Sequence, residues 1–327
     1  MKSFCIFLNF LLSGIFLSAE GWRWHGSFPW VYSHVDLSWE YWKVGNNDKF
    51  YVFKNINSKW YYFNHVGGIW GLVVGDNNSI NPSITKEIWY QKYNEWLKNP
   101  TPYGGLAILD WIKTIKEDGS TEINLSSLNI SDLSPLEGLP NLKTVVLDNN
   151  DISDLSPLAN LTNLESLNLS GNSINDLSPL ANLKNLETLF LEENQVGSLY
   201  FLSDLKKLKT LKLKKNQILN LSPLLDLTSI EILHLGENQI FDLSHLSNLA
   251  MLTELSIPKN QIFDLSPLAI LSKVEILDLN DNQISDLSYL RKFYKAKEIS
   301  LKNNKLSDEE QEMLVGYLPK TTKIVFK

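Results

Sequence analysis

One tetrapeptide, Leu133-Ser134-Pro135-Leu136, returns every 22 residues, and so strict a period leaves room for few architectures. LSPL recurs at Leu155, Leu177, Leu221 and Leu265, and in altered form as LYFL at Leu199, LSHL at Leu243 and LSYL at Leu287. A second motif, LxLxxN, keeps the same phase upstream. Its asparagines are Asn150, Asn172, Asn194, Asn216, Asn238, Asn260, Asn282 and Asn304, with no slip. Self-similarity at this period means one structural unit stacked on its own copies, a solenoid.

The physics of one turn can be read directly. In Ser166-Leu167-Asn168-Leu169-Ser170 the apolar residues alternate, so Leu167 and Leu169 face inward and the polar residues face out. That is one short strand per turn, and stacked strands make a parallel sheet. After the asparagine the spacing changes, with Leu155, Leu158, Leu161 and Leu164 recurring every three residues. This suits a 3₁₀-like or extended return better than an α-helix. Ser156-Pro157 supplies an N-cap and a proline at the first helical position. Each asparagine falls where the chain turns inward, and it is expected to be a buried amide that satisfies backbone groups the sheet cannot reach. Asp132, Asp154, Asp176, Asp242, Asp264 and Asp286 recur before the tetrapeptide as turn and cap residues.

Over roughly residues 120 to 306 this pattern resembles the 22-residue internalin-type leucine-rich repeats of bacterial surface proteins. The resemblance implies an α/β solenoid, a right-handed leucine-rich repeat coil with a parallel sheet on its concave face and helical caps. It also implies a non-enzymatic exported protein that recognises another protein or macromolecule on that face.

Upstream of the repeats the composition changes. Residues 1–19 read as a signal peptide: Lys2, an apolar run from Phe4 to Leu17, then Leu17-Ser18-Ala19 before Glu20. The run is short for a stable membrane span, an uncleaved anchor being the alternative. A secreted or cell-envelope protein with no span after cleavage is expected. The single cysteine, Cys5, lies in this segment, so the mature chain would hold no disulfide and no thiolate. Residues 20–78 are expected to form a small aromatic-rich β-meander. All ten tryptophans lie between Trp22 and Trp111, in clusters such as Trp30-Val31-Tyr32 and Trp39-Glu40-Tyr41-Trp42, separated by turn-forming pieces. Lys59-Trp60-Tyr61-Tyr62-Phe63-Asn64 is similar to one unit of the aromatic repeats that bind choline or glucan in bacterial cell walls. It implies, as the alternative to recognition on the sheet face, an envelope- or glycan-binding protein that acts through Trp30, Trp39, Trp60 and Tyr62 with the repeats as a spacer.

Residues 79–118 should be a helical N-terminal cap covering the solenoid's first turn. Pro82-Ser83 opens one helix with Trp89, Tyr93, Trp96 and Leu97 on one face. A second helix places Ile108, Trp111, Ile112 and Ile115 at i, i+3, i+4 and i+7 and stops at Asp118-Gly119. The repeats occupy 119–306, the first of them degenerate, with Leu128 where the asparagine should be. Residues 307–327 should close the array. Ser307-Asp308-Glu309-Glu310 reads as a capping box opening a helix that packs Met313, Leu314, Tyr317 and Leu318, followed by an edge strand over Lys323–Lys327.

Little in the chain carries chemistry. Net charge is −7, with no basic face for nucleic acid. His25, His34, His65, His234 and His245 show no metal-ligand spacing, and there is no Gly-rich phosphate loop or nucleophile motif. No cofactor, no metal and no catalysis are expected, and the chain is expected to be a monomer. What remains is surface. The outward mid-strand column runs Asn124, Val146, Asn168, Phe190, Lys212, His234, Ser256, Asp278, Ser300, beside Ser126, Asp148, Ser170, Glu192, Lys214, Gly236, Pro258, Asn280, Lys302. Val146, Phe190, Glu192, Lys212, Lys214 and His234 depart from the small polar norm and are the candidate contacts for a protein ligand. Lys212, Lys214 and Lys215 form a basic island there, beside Glu192 and Glu193.

Overall fold

The computed structural model describes the backbone of residues 22–24, 30–33, 38–45, 49–54, 59–66 and 69–75, and all of 86–327, with side chains from Ile88 onward. The chain divides into two units, residues 1–83 and 84–327. In the first, strands β1 (Trp22–Trp24), β2 (Trp30–Ser33), β3 (Ser38–Gly45), β4 (Lys49–Lys54), β5 (Lys59–Val66) and β6 (Ile69–Gly75) pair antiparallel in sequence order. The candidate glycan-stacking side chains of Trp30, Trp39, Trp60 and Tyr62 lie outside the described residues. So do residues 1–19 and the expected helix start at Pro82-Ser83.

The second unit is a leucine-rich repeat solenoid. Ten short strands form one parallel sheet in sequence order: β7 (Glu122–Asn124), β8 (Thr144–Val146), β9 (Ser166–Asn168), β10 (Thr188–Phe190), β11 (Thr210–Lys212), β12 (Ile232–His234), β13 (Glu254–Ser256), β14 (Ile276–Asp278), β15 (Glu298–Ser300) and β16 (Lys323–Val325). From β7 to β15 the register repeats without a shift, so Leu167, Leu189, Leu211 and Leu233 stand in one buried row. A one-residue slip would turn every leucine outward, which is why the period is tolerated so rigidly. The chain returns through a 3₁₀ turn at each LSPL-type tetrapeptide, such as Ser156–Leu158 and Ser222–Leu224. The aspartate two residues before each serine accepts from the serine backbone N–H: Asp154, Asp176, Asp242, Asp264 and Asp286 do so at 2.8 Å. Leucines from both halves of the turn meet in a core that is almost solvent-free.

The asparagine ladder joins turn to turn. Asn216 Nδ2 donates to Leu213 O at 3.1 Å and Lys214 O at 3.3 Å in its own turn, and to Leu191 O at 2.8 Å in the preceding one. Its Oδ1 accepts from Val196 N–H, also in the preceding turn, at 2.9 Å. Asn150, Asn172, Asn194, Asn260 and Asn282 are buried in the same way. Asn238, beside Gly236, and Asn304, in the last asparagine-bearing turn, are only half-buried. The residue before each ladder asparagine is left-handed, as in Asn149, Glu193, Lys215, Glu237, Lys259, Asp281 and Asn303 (φ 53° to 60°). Only one turn places a glycine there, Gly171 at φ 67°.

Helix α1 (Lys86–Trp96) and helix α2 (Leu106–Asp118) close the first turn. Trp89 is fully buried and donates from Nε1 to Pro135 O at 3.0 Å, with the Lys116 ammonium 5.0 Å from the ring centroid. Gly138 is required beneath it, because a Cβ there would lie 2.3 Å from Trp89 Cδ1. The inward face of α2 differs from the one expected. Leu109, Ile112 and Ile115 are buried and Ile108 flanks them, whereas Trp111 is 40% exposed. Two overlapping stripes were available on this helix, and the stripe containing the leucine packs. At the other end helix α3 (Asp308–Tyr317) buries Leu314 and Leu318 but leaves Tyr317 outside, beneath the Arg291 guanidinium. The expected reciprocal capping box is half-formed. Ser307 Oγ accepts from Glu310 N–H at 3.2 Å, while the Glu310 carboxylate turns away and takes the Leu287 N–H at 3.0 Å.

Candidate interaction face of the sheet

Strands β7 to β15 and the residues that follow them present three outward columns, and at about 4.8 Å per strand the face is on the order of 40 Å long. Phe190 pairs directly with Lys212, and Lys212 with His234, so these three stand side by side on β10, β11 and β12. The Lys212 ammonium lies 5.1 Å from the Phe190 ring centroid, a cation–π contact. Among the described residues Lys212 forms no ion pair. His234 Nε2 and Glu254 Oε1 are 2.7 Å apart. Glu254 belongs to the third outward column, running Thr188, Thr210, Ile232, Glu254 and Ile276, which the sequence reading passed over. The alternation of the strand itself would have identified it, since the residues on both sides of each buried leucine face out.

The expected basic island is divided. Lys214 reaches Glu237 at 3.4 Å, and Lys215 pairs with Glu193 at 2.8 Å. That hydrogen bond holds the Glu193 carboxyl below, and the Lys215 ammonium above, their ordinary ranges. Lys212 is left as the free cation of the three. Glu192 stands on the neighbouring outward column, half-buried. Val146 is not part of the cluster, because Asn168 on β9 separates it from Phe190. Asn168 donates to Asp148 at 3.1 Å, and Asp278 accepts from the Asn280 N–H at 3.1 Å, so both flanks of the cluster are internally satisfied.

The arrangement offers one ring, one cation and a His–Glu pair on adjacent strands. Glu254 orients the His234 ring, and Ser256 pairs with His234 across β12 and β13. Yet the Ser256 hydroxyl faces Asp278 Oδ2, at 3.5 Å, and no nucleophile meets the second imidazole nitrogen among the described residues. Among those residues no group of three or more His, Cys, Asp or Glu is placed to hold a metal ion. No helix among them is long and apolar enough to cross a membrane.

A 22-residue unit with one strand, a turn asparagine and a 3₁₀ return defines a leucine-rich repeat protein. The family described as Leucine Rich repeats (2 copies) matches residues 121–160 and 162–207. Internalin C2 of Listeria monocytogenes is 33% identical over 66% of this chain and 96% of its own, with a TM-score of 0.58. The chain therefore belongs to the internalin family. The leucine-rich repeat protein LIC12759 of Leptospira interrogans (24% identity, 62% and 60% covered, TM-score 0.54) shares the fold. So does the functional domain of InlJ from Listeria monocytogenes (19% identity, 69% and 55% covered, TM-score 0.53), whose structure includes a cysteine ladder. No curated protein matches the chain.

Proposed function

We propose that this is an exported recognition protein that binds another protein across the concave sheet face, centred on Phe190, Lys212 and His234. The observation that carries the reading is the Phe190–Lys212 pair, an aromatic ring and an ammonium without an ion pair side by side on adjacent strands. An aromatic anchor beside a charge is the usual composition of a binding hot spot. The neighbouring His234–Glu254 pair and the satisfied flanks add a rigid polar rim, so little ordering is needed on binding. Val146, Glu192 and Lys214 are peripheral contacts in this reading. Residues 1–19 direct export, residues 20–78 form an independent aromatic module, and the mature chain acts as a monomer without catalytic turnover.

The test is site-specific crosslinking on the full chain. A photoreactive phenylalanine analogue replaces Phe190 in one variant and Tyr289, on a 3₁₀ turn, in another, and each is exposed to extracts of candidate target cells. A partner crosslinked at 190, absent at 289 and competed by the native chain supports the reading. Once a partner is in hand, unchanged affinity in Phe190→Ala and Lys212→Glu, with loss in Trp39→Ala or Trp60→Ala, would move the site to the aromatic module.

A further inference from the structure

Away from the sheet face, three consecutive turns carry a feature the other turns lack. The residue after each core isoleucine or valine of the ascending segment is Ser131, Ser153, Asn175, Gly197 or Ser285 in five turns. In the remaining three it is Leu219, Phe241 and Phe263, and these are 50%, 48% and 60% exposed. Folding does not need them, since a serine, asparagine or glycine serves the same backbone elsewhere. That backbone is held firmly. Ile240 N–H donates to Asn260 Oδ1 at 2.9 Å and Ile262 N–H to Asn282 Oδ1 at 3.1 Å, so the two rings project from fixed points.

Between them lies a cleft of roughly 150 Å3, lined by Phe241, Asp242, Leu243, Phe263, Asp264 and Pro267. Its only charged walls are the two aspartates. Each carboxylate is clamped by the serine two residues on, through its backbone N–H at 2.8 Å and its hydroxyl at 3.0 Å (Ser244) or 2.8 Å (Ser266). The anions are thus oriented before any ligand arrives. No lysine or arginine lines the cleft to neutralise them.

Half-exposed aromatic rings flanking two oriented carboxylates match one kind of group, a cation with an apolar stem. We propose that this cleft receives an arginine side chain from a partner protein, as a contact separate from the sheet face. The guanidinium is planar and weakly hydrated, so it stacks on an aromatic ring while its N–H fork meets a carboxylate. A lysine ammonium is a point charge that keeps its water and uses the rings less well. The volume suits one side chain rather than a whole element.

The repeat itself supplies neutral controls. Asn220 occupies the aspartate position and accepts from Ser222 N–H at 2.9 Å, so Asp264→Asn keeps the turn. Ser153 and Ser285 occupy the Phe263 position, so Phe263→Ser keeps the fold. The experiment titrates isotope-labelled full chain with N-acetyl-arginine amide and follows backbone amide shifts by NMR. The expected result is saturable shifts confined to residues 241–244 and 263–267. Affinity should be several-fold weaker for N-acetyl-lysine amide and absent for N-acetyl-norvaline amide. Phe263→Ser and Asp264→Asn should each weaken the arginine probe at least fivefold while leaving the melting temperature unchanged. Three results would overturn the proposal: no saturable shift at these residues, equal binding of the norvaline probe, or binding indifferent to both substitutions. Self-association of the native chain, abolished by Phe241→Ser with Phe263→Ser and unaccompanied by probe binding, would assign the stripe to a second copy of the chain and likewise overturn it.

Discussion

Replacing Asn216 by leucine isolates the polar half of the repeat, because the two side chains are close in size and little cavity or overpacking enters. The substitution leaves one buried backbone group with no partner, Val196 N–H, and takes one of two amide bonds from Leu191 O and Leu213 O, which keep Asn194 Nδ2 at 3.2 Å and Asn238 Nδ2 at 3.0 Å. Each buried group left unsatisfied costs about 1–3 kcal/mol. The site is 9% exposed, so water can reach part of it, and the middle of that range, about 2 kcal/mol, is the expectation. Lys212→Ala, in the same repeat, removes only the contact over Phe190 and should cost about 0.5–1 kcal/mol. The assay is guanidinium denaturation of both variants followed by far-UV circular dichroism, combined with amide hydrogen exchange. Stability in stacked repeats is local, so the Val196 amide should lose protection in Asn216→Leu before distant turns do. Equal denaturation midpoints for the two variants, or an unchanged Val196 exchange rate, would refute the account of the ladder.

Phe190→Ala and Lys212→Glu should weaken a sheet-face partner by about 2 kcal/mol each in a calorimetric titration, with melting temperatures lowered by no more than a few degrees. Trp89→Ala should lower stability by about 3–5 kcal/mol in chemical denaturation, since a fully buried indole and its bond to Pro135 are lost together. Lys259→Gly should raise the melting temperature, with a gain of about 0.5–1 kcal/mol, because Lys259 sits at φ 53° where glycine carries no Cβ penalty. For acid unfolding, the bonds from Ser244 and Ser288 hold the Asp242 and Asp286 carboxyls below their ordinary range. Their folded values are depressed, so their contribution is complete above the ordinary aspartate value of about 4 and is lost as the pH falls through the folded values. A pH series of melting temperatures should show a shallower acid limb in the double variant Asp242→Asn, Asp286→Asn.

The solenoid was legible because its long-range contacts are short-range in sequence. Thr188 pairs with Ser166 and Thr210, one period either way, so the repeat itself is the contact map. The 3₁₀ return was readable for the same reason, from leucines three apart. Where two patterns overlapped, the sequence was silent. On α2, Ile108 and Ile112 belong both to a stripe with Trp111 and to one with Leu109, and only the surface beneath them selects between the two. The sheet-face cluster was visible as a column, yet the His234–Glu254 pair lies diagonally across two columns and two strands. Lys214 likewise stands next to Glu192 in its column but finds Glu237, a residue from the left-handed corner of the next turn. Such pairings depend on side-chain reach, which a period does not encode.

The ladder also gives the array a direction. Asn216 serves the turn before it through Leu191 O and Val196 N–H, while its remaining bonds to Leu213 O and Lys214 O stay within its own turn. If a turn peels away on the N-terminal side, the asparagine that had fastened it keeps those two local acceptors. If a turn peels away on the C-terminal side, it takes its asparagine with it and strands the Val196 N–H in the turn left behind, whose Leu191 O keeps the Asn194 amide at 3.2 Å. Among the ladder's own bonds, unravelling from the C-terminal side therefore orphans one buried donor per turn, whereas unravelling from the N-terminal side orphans none. In this respect the solenoid should yield asymmetrically when pulled from its two ends.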